Sequence, residues 1–141
     1  MLTGNTSDGP RLFGVVHVKA SFAECRTDDV PFSIALKRGG YTSPLWTMYC
    51  KSRPGLQPVN WGKVGRPGGR RRAKRKDIED DGYFTGCFSY NENTQPSVFG
   101  LPAKRRVHVC DFSNSDNAFS RFILTRWHAF AKSRIAAGTV P

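Results

Sequence analysis

A chain of 141 residues, 38% hydrophobic and 12% aromatic, is long enough for one modest core, so a single domain is the expected organisation. Its net charge of +11 is mostly local, because residues 63–76 contribute +8 of it. Four scattered cysteines exclude a disulfide-dense secreted scaffold, no apolar run approaches the ~20 residues of a membrane helix, and Met1–Asp8 lacks the basic and apolar regions of a signal peptide.

Residues 1–10 are small and polar and end in Gly9-Pro10, which predicts a disordered lead-in to one domain over 11–141. Arg11 to Phe22 alternates as a strand, with Val16, Val18, Ala20 and Phe22 inward and His17, Lys19 and Ser21 outward. Glu24 to Asp29 reads as a polar turn. Phe32, Ile34 and Leu36 alternate with Ser33, Ala35 and Lys37 and run into Gly39-Gly40, the pattern of a β-hairpin whose second strand carries Trp46 to Tyr49.

Gly and Pro recur from Ser52 to Gly69, and 52–82 is expected as a flexible basic loop. Arg70 to Asp80 has helix-forming composition, but a segment this short is marginal alone in water. Tyr83–Tyr90 and Arg105–Phe112 read as further strands. Asn117–Ala137 is an amphipathic helix, with Phe119, Phe122, Ile123, Trp127, Phe130 and Ala131 on one face. Arg121, Thr125, His128 and Lys132 line the other face; Ser115 or Asp116 caps the start. The expected fold class is α+β: a small antiparallel sheet of about five strands, one C-terminal helix and the long basic loop.

The chemistry-bearing residues are chiefly basic. Lys63, Arg66, Arg70, Arg71, Arg72, Lys74, Arg75 and Lys76 form a run with no acid, followed by Asp77, Glu79, Asp80 and Asp81. Clustered Lys and Arg create a field suited to a polyanion. Lys104, Arg105, Arg106, Arg121 and Lys132 would extend a phosphate-tracking surface. The alternative for the run is a solvated loop that keeps the protein soluble, and for the helix face ordinary solvation.

Arg70, Arg71, Arg72, Lys74, Arg75 and Lys76 resemble a monopartite nuclear localisation signal, which implies an importin-type receptor as partner. Lys63-Val64-Gly65-Arg66-Pro67-Gly68 resembles the core of an AT-hook, a minor-groove binder of A·T-rich DNA. Val64 stands where that motif carries its second core arginine.

Other chemistry is sparse. Cys50, Cys87, His108 and Cys110 match no common zinc module by spacing, and buried thiols are the commoner outcome. Asp28-Asp29 and Asp80-Asp81 are paired acids of the type that holds Mg²⁺. No nucleotide-binding glycine motif, nucleophile elbow or metalloprotease helix is present.

The leading expectation is therefore a small non-enzymatic protein without cofactors that binds DNA or RNA. It would be nuclear with a cytoplasmic pool, in the style of a virus-encoded accessory, movement or silencing-suppressor protein in a host nucleus. The alternative is a protein-interaction module whose helix 117–137 docks a partner or a second copy, the basic run serving only localisation. No membrane partner is expected.

Overall fold

The structure, a computed structural model, describes residues 1–20, 25–48, 64, 73–91 and 93–136. Its strands are β1 (Leu2–Thr6), β2 (Gly9–Gly14), β3 (His17–Lys19), β4 (Leu45–Thr47), β5 (Cys87–Ser89) and β6 (Val107–Val109). Its α-helices are α1 (Val30–Arg38), α2 (Ala73–Glu79) and α3 (Ala118–Ala136). A π-helical turn, Cys25–Asp29, leads into α1, and a 3₁₀ turn, Ala103–Arg105, precedes β6. The class is mixed α/β, but the sheet differs from the expected antiparallel one. β1 and β2 form a separate antiparallel pair, while β3, β4, β5 and β6 form a parallel sheet in chain order. Parallel neighbours need crossover connections, and α1 and α2 lie within the first two of them.

Three changes explain the difference. First, the expected strand through Phe32, Ile34 and Leu36 is helix α1. Its inward positions are Val30, Ser33 and Ile34, at helical spacing, whereas Phe32 is exposed. Ser33 is fully buried and uses its hydroxyl, so a polar residue occupies a core position and hides the period. Pro31 sits in the first turn, where its missing N–H costs nothing.

Second, Gly39-Gly40 ends this helix and does not turn a hairpin. Gly40 has φ +78°, its N–H donates to the Lys37 carbonyl at 3.1 Å, and the Tyr41 N–H donates to the Leu36 carbonyl at 2.9 Å. Those two bonds are a Schellman cap, and they satisfy carbonyls the helix leaves open. Gly40→Ala is expected to lower stability by about 1 kcal/mol, read as a shifted urea midpoint with unchanged slope.

Third, the basic segment is partly core. α2 is folded, with Ile78 buried beside Val64, Val30, Leu45, Cys87 and Val107. Val64, at the AT-hook arginine position, is thus a core residue. The expected flexible loop over 52–82 is corrected for these residues; the rest of 49–72 lies outside the described residues.

The N-terminal residues, expected without structure, form β1. The hairpin they build rests on α3: a Cβ on Gly4 would collide with the Trp127 ring, so only glycine permits that approach. Phe13 completes the contact, its ring centroid 5.3 Å from that of Trp127 and 6.2 Å from that of Phe130.

The sheet is covered on two faces. Leu45, Cys87 and Val107 are register partners and meet α1 and α2 in one cluster. Phe88 points the other way, as successive strand residues must, and packs on Phe119 and Phe122 of α3.

Helix α3 is where the sequence reading and the structure agree best. Arg121, Thr125, His128 and Lys132 are all exposed. The cap is Asn117, whose Oδ1 accepts the N–H groups of Phe119 and Ser120, in place of Ser115 or Asp116. Arg126 lies 5.2 Å from the centre of the Phe122 ring, which accounts for a cation near the apolar side.

Candidate active site at the carboxyl ends of the parallel strands

In open parallel sheets ligands bind beyond the carboxyl ends of the strands, where the loops gather. Here β3 ends in Lys19. Its ammonium lies 2.6 Å from Asp29 Oδ2, and the two side chains keep 24% and 13% of their surface. The other carboxylate oxygen, Oδ1, lies 3.0 Å from His17 Nδ1. His17 Nε2 lies 2.8 Å from Ser43 Oγ. The hydrogen bond to Asp29 is the largest influence on Lys19 and raises its pKa, so the side chain stays cationic; burial opposes this more weakly.

The elements that place this group are local. Lys19 and His17 share one face of β3, two residues apart. Asp29 is carried by the π-helical turn at the start of α1, and Ser43 precedes β4. A buried polar row continues along the strand ends. Thr47 donates to the Lys19 carbonyl at 2.9 Å, and Ser89 donates to Thr94 at 2.9 Å. α2 adds Lys74, which lies 4.0 Å from Asp77. Lys74 and Lys19 both act on the Cys25 thiol, but burial dominates there and pushes its pKa up. Trp46, Tyr90 and Phe112 form a ring cluster at the same end, with Phe112 62% exposed.

The expected basic residues are spread over the fold. Lys63, Arg66, Arg70, Arg71 and Arg72 lie outside the described residues. Lys74 is half-buried beside the Lys19 group and Lys76 is exposed. Arg75 is completely buried, with Nε 2.9 Å from Glu79 Oε1 and Nη1 donating to the Gln95 carbonyl at 2.8 Å. It is therefore a scaffold cation, and both the phosphate and the importin role expected of it are corrected.

Lys104, Arg105 and Arg106 precede β6 and so sit at the amino ends of the strands, the opposite end from Lys19. Lys37 is near Lys104 and Arg105 there and donates to the Gly82 carbonyl. Burial, then repulsion from Lys104 and Arg105, lowers its pKa. Arg121 is exposed and lies 3.3 Å from Asp116, while Lys132 is exposed farther along α3.

The proposed zinc and magnesium donors do not converge. Cys87 and His108 belong to adjacent register rows and point to opposite faces, and His108 stacks on Phe88 at 5.1 Å. Cys50 lies outside the described residues. Asp29 faces Lys19 while Asp28 is exposed, and among the described residues no three His, Cys, Asp or Glu groups are placed to hold a metal ion. Burial pushes the Cys25, Cys87 and Cys110 thiols above their ordinary pKa, Cys87 furthest. Those three cysteines are expected to resist a thiol reagent until the protein unfolds, read by mass spectrometry of labelled peptides; labelling of Cys87 in the native state would contradict its burial.

In the sequence Asp29 reads only as half of an acidic pair suited to Mg²⁺, and its grouping with His17 and Lys19 does not show. The available signal was a basic residue ending an apolar strand, with an acidic pair ten residues on. The strand phase concealed it: His17 is buried and Val18 is 63% exposed, the reverse of the expected alternation.

The chain is similar to a type II restriction endonuclease, a class of DNA-cleaving enzyme. The relative is restriction enzyme AgeI of Thalassovita gelatinovora, 37% identical over 122 residues, which are 85% of this chain and 44% of the relative. The crystal structure of the AgeI–DNA complex has the same fold, with a TM-score of 0.74 and 36% identity over 87% of this chain and 45% of that one. This chain thus spans less than half the length of the relative it matches. No protein-family model matches it.

These likenesses overturn the non-enzymatic, virus-encoded accessory reading, because the relative is a bacterial restriction enzyme. The nuclear localisation is overturned with it, because the relative is bacterial, and nothing in these likenesses supports the importin-type partner. The interaction-module alternative also loses its docking face. Phe119 and Phe122 are taken up by Phe88, and Trp127 and Phe130 by Phe13.

Proposed function

We propose that this chain is a restriction-endonuclease segment that binds double-stranded DNA and supplies the Lys19–Asp29 group to phosphodiester hydrolysis. The observation that carries this is the placement of that group at the carboxyl end of the sheet, in a segment 37% identical to a restriction enzyme.

In the reaction, water adds to phosphorus, the P–O bond to the leaving alcohol breaks, and negative charge grows on the phosphoryl oxygens. Lys19, held protonated, is suited to neutralise that charge at the moment it develops. Asp29 sets where the ammonium sits in the free enzyme. Lys74 joins this reading as a phosphate contact beside the site, Lys76 as an exposed contact on α2, and Arg121 and Lys132 as contacts along α3. Lys104, Arg105 and Arg106 would hold more distant backbone. The cytoplasm, where bacterial DNA lies, is the expected place of action.

The test uses the whole chain with supercoiled plasmid and a divalent cation, alongside a salt titration of duplex binding. Site-specific linear product and a steep salt slope are expected. Binding without cleavage would confine the chain to recognition. Plasmid left supercoiled by a chain that also fails to bind duplex would discard the proposal.

A further inference from the structure

Behind Lys19 the polar contacts continue into the core, and hydrogen counting gives them a direction. Ser33 Oγ donates to the Tyr83 carbonyl at 2.8 Å, and a carbonyl only accepts. The 2.8 Å contact between Ser33 and Ser43 must then use the Ser43 hydrogen. Ser43 therefore accepts from His17 Nε2 at 2.8 Å. On the other side of the ring, a carboxylate that also holds the Lys19 ammonium accepts from Nδ1 at 3.0 Å. Every contact is used when both ring nitrogens donate. A ring with one hydrogen can keep Asp29 only if both serine hydroxyls reverse and the Tyr83 carbonyl loses this donor.

We propose that His17 is a positioning residue for Lys19: its Nδ1–H fixes one oxygen of Asp29, and the other oxygen sets the place of the Lys19 ammonium. This rests on the role proposed above for Lys19. The edges of Phe32 and Phe84 meet the imidazole at 5.8 and 5.4 Å between centroids, so the ring cannot follow a wandering carboxylate. The ring's own polar contacts are Asp29 and Ser43. The charged and titratable groups that act on Lys19 and on Cys25, at the start of the same turn as Asp29, are Asp28 and Asp29 on that turn and Lys74 and Asp77 on α2.

His17→Asn and His17→Gln separate this from packing. Asparagine sets an amide donor where Nδ1 lies and drops Ser43; glutamine reaches the Nε2 position and drops Asp29. The Asn variant is expected to cleave within about threefold of wild type in a single turnover. The Gln variant should lose about 10- to 100-fold with DNA affinity unchanged, since small misplacement of a reacting group costs that much. Equal losses in both variants would overturn the assignment.

A second reading needs no DNA cleavage and therefore survives failure of the nuclease proposal. ¹⁵N spectra of the wild-type chain should show hydrogen on His17 Nδ1, and the Lys19 ammonium of the Gln variant should titrate at lower pH than in wild type or the Asn variant. A bare Nδ1, or identical Lys19 titration in all three, sinks the proposal. Should the Gln variant fail to fold, the wild-type spectrum still decides.

Discussion

Arg75→Ala is expected to cost the fold about 3–5 kcal/mol, because it removes one partner of a buried ion pair. Arg75 has no exposed surface, and Glu79, one helical turn later, is 3% exposed. Glu79 Oε1 accepts from Arg75 Nε at 2.9 Å and from Ser97 Oγ at 2.6 Å. Ser97 in turn accepts the Val107 N–H at 2.8 Å, so the ion pair on α2 is tied to the first residue of β6. Removing the guanidinium would take from Glu79 the buried cation that lies 2.9 Å from its Oε1. Chemical denaturation measures the loss. Lys76→Ala, one residue on and exposed, is the control and should change stability by less than about 0.5 kcal/mol. If Arg75→Ala instead left stability intact and weakened only DNA binding, the buried-scaffold assignment would be wrong. A double replacement of Arg75 and Glu79 by apolar residues of similar volume should recover much of the loss, because an apolar pair carries no desolvation cost.

This pair shows why charge statistics misled over residues 73–79. Eight bases without an acid read as a solvated arm, yet the acids that partner them follow at once in Asp77 and Glu79. The i,i+4 spacing of Arg75 and Glu79 was visible, and so was Ile78 between them. Nothing local said that this face turns inward, since its burial depends on Val64, Phe84 and Cys87 from elsewhere in the chain. α3 was legible for the opposite reason. Its 19 residues repeat the helical period often enough to fix both faces. The three-residue strands give no such redundancy. In β3 a shift of one position exchanges buried for exposed, and that exchange concealed His17 and Lys19. Lys19 and Asp29 also meet only after the chain has turned through Cys25–Asp29, a contact no periodicity encodes. The same limit applied to parallel pairing, which arises from crossovers and leaves no mark at all on a strand of three residues.

Lys19→Met is expected to reduce DNA cleavage by about 10²- to 10³-fold, the usual cost of removing one preorganised charge from a transition state. Duplex affinity should change far less, because binding is shared among many phosphate contacts. Single-turnover cleavage beside a direct binding titration separates the two. Equal losses in both would make Lys19 a ground-state contact and discard its proposed part in the chemistry. The pH dependence carries an independent check. Lys19 is held above its ordinary value of 10.5 in the folded protein, chiefly by Asp29. A raised native pKa stabilises the fold fully below the unfolded value, and that contribution disappears as pH rises through the native one. The stability gap between wild type and Lys19→Met should therefore stay level from neutral pH to about 10 and close only in stronger alkali. Any change in cleavage rate between pH 6 and 9 must then come from a group other than the Lys19 ammonium.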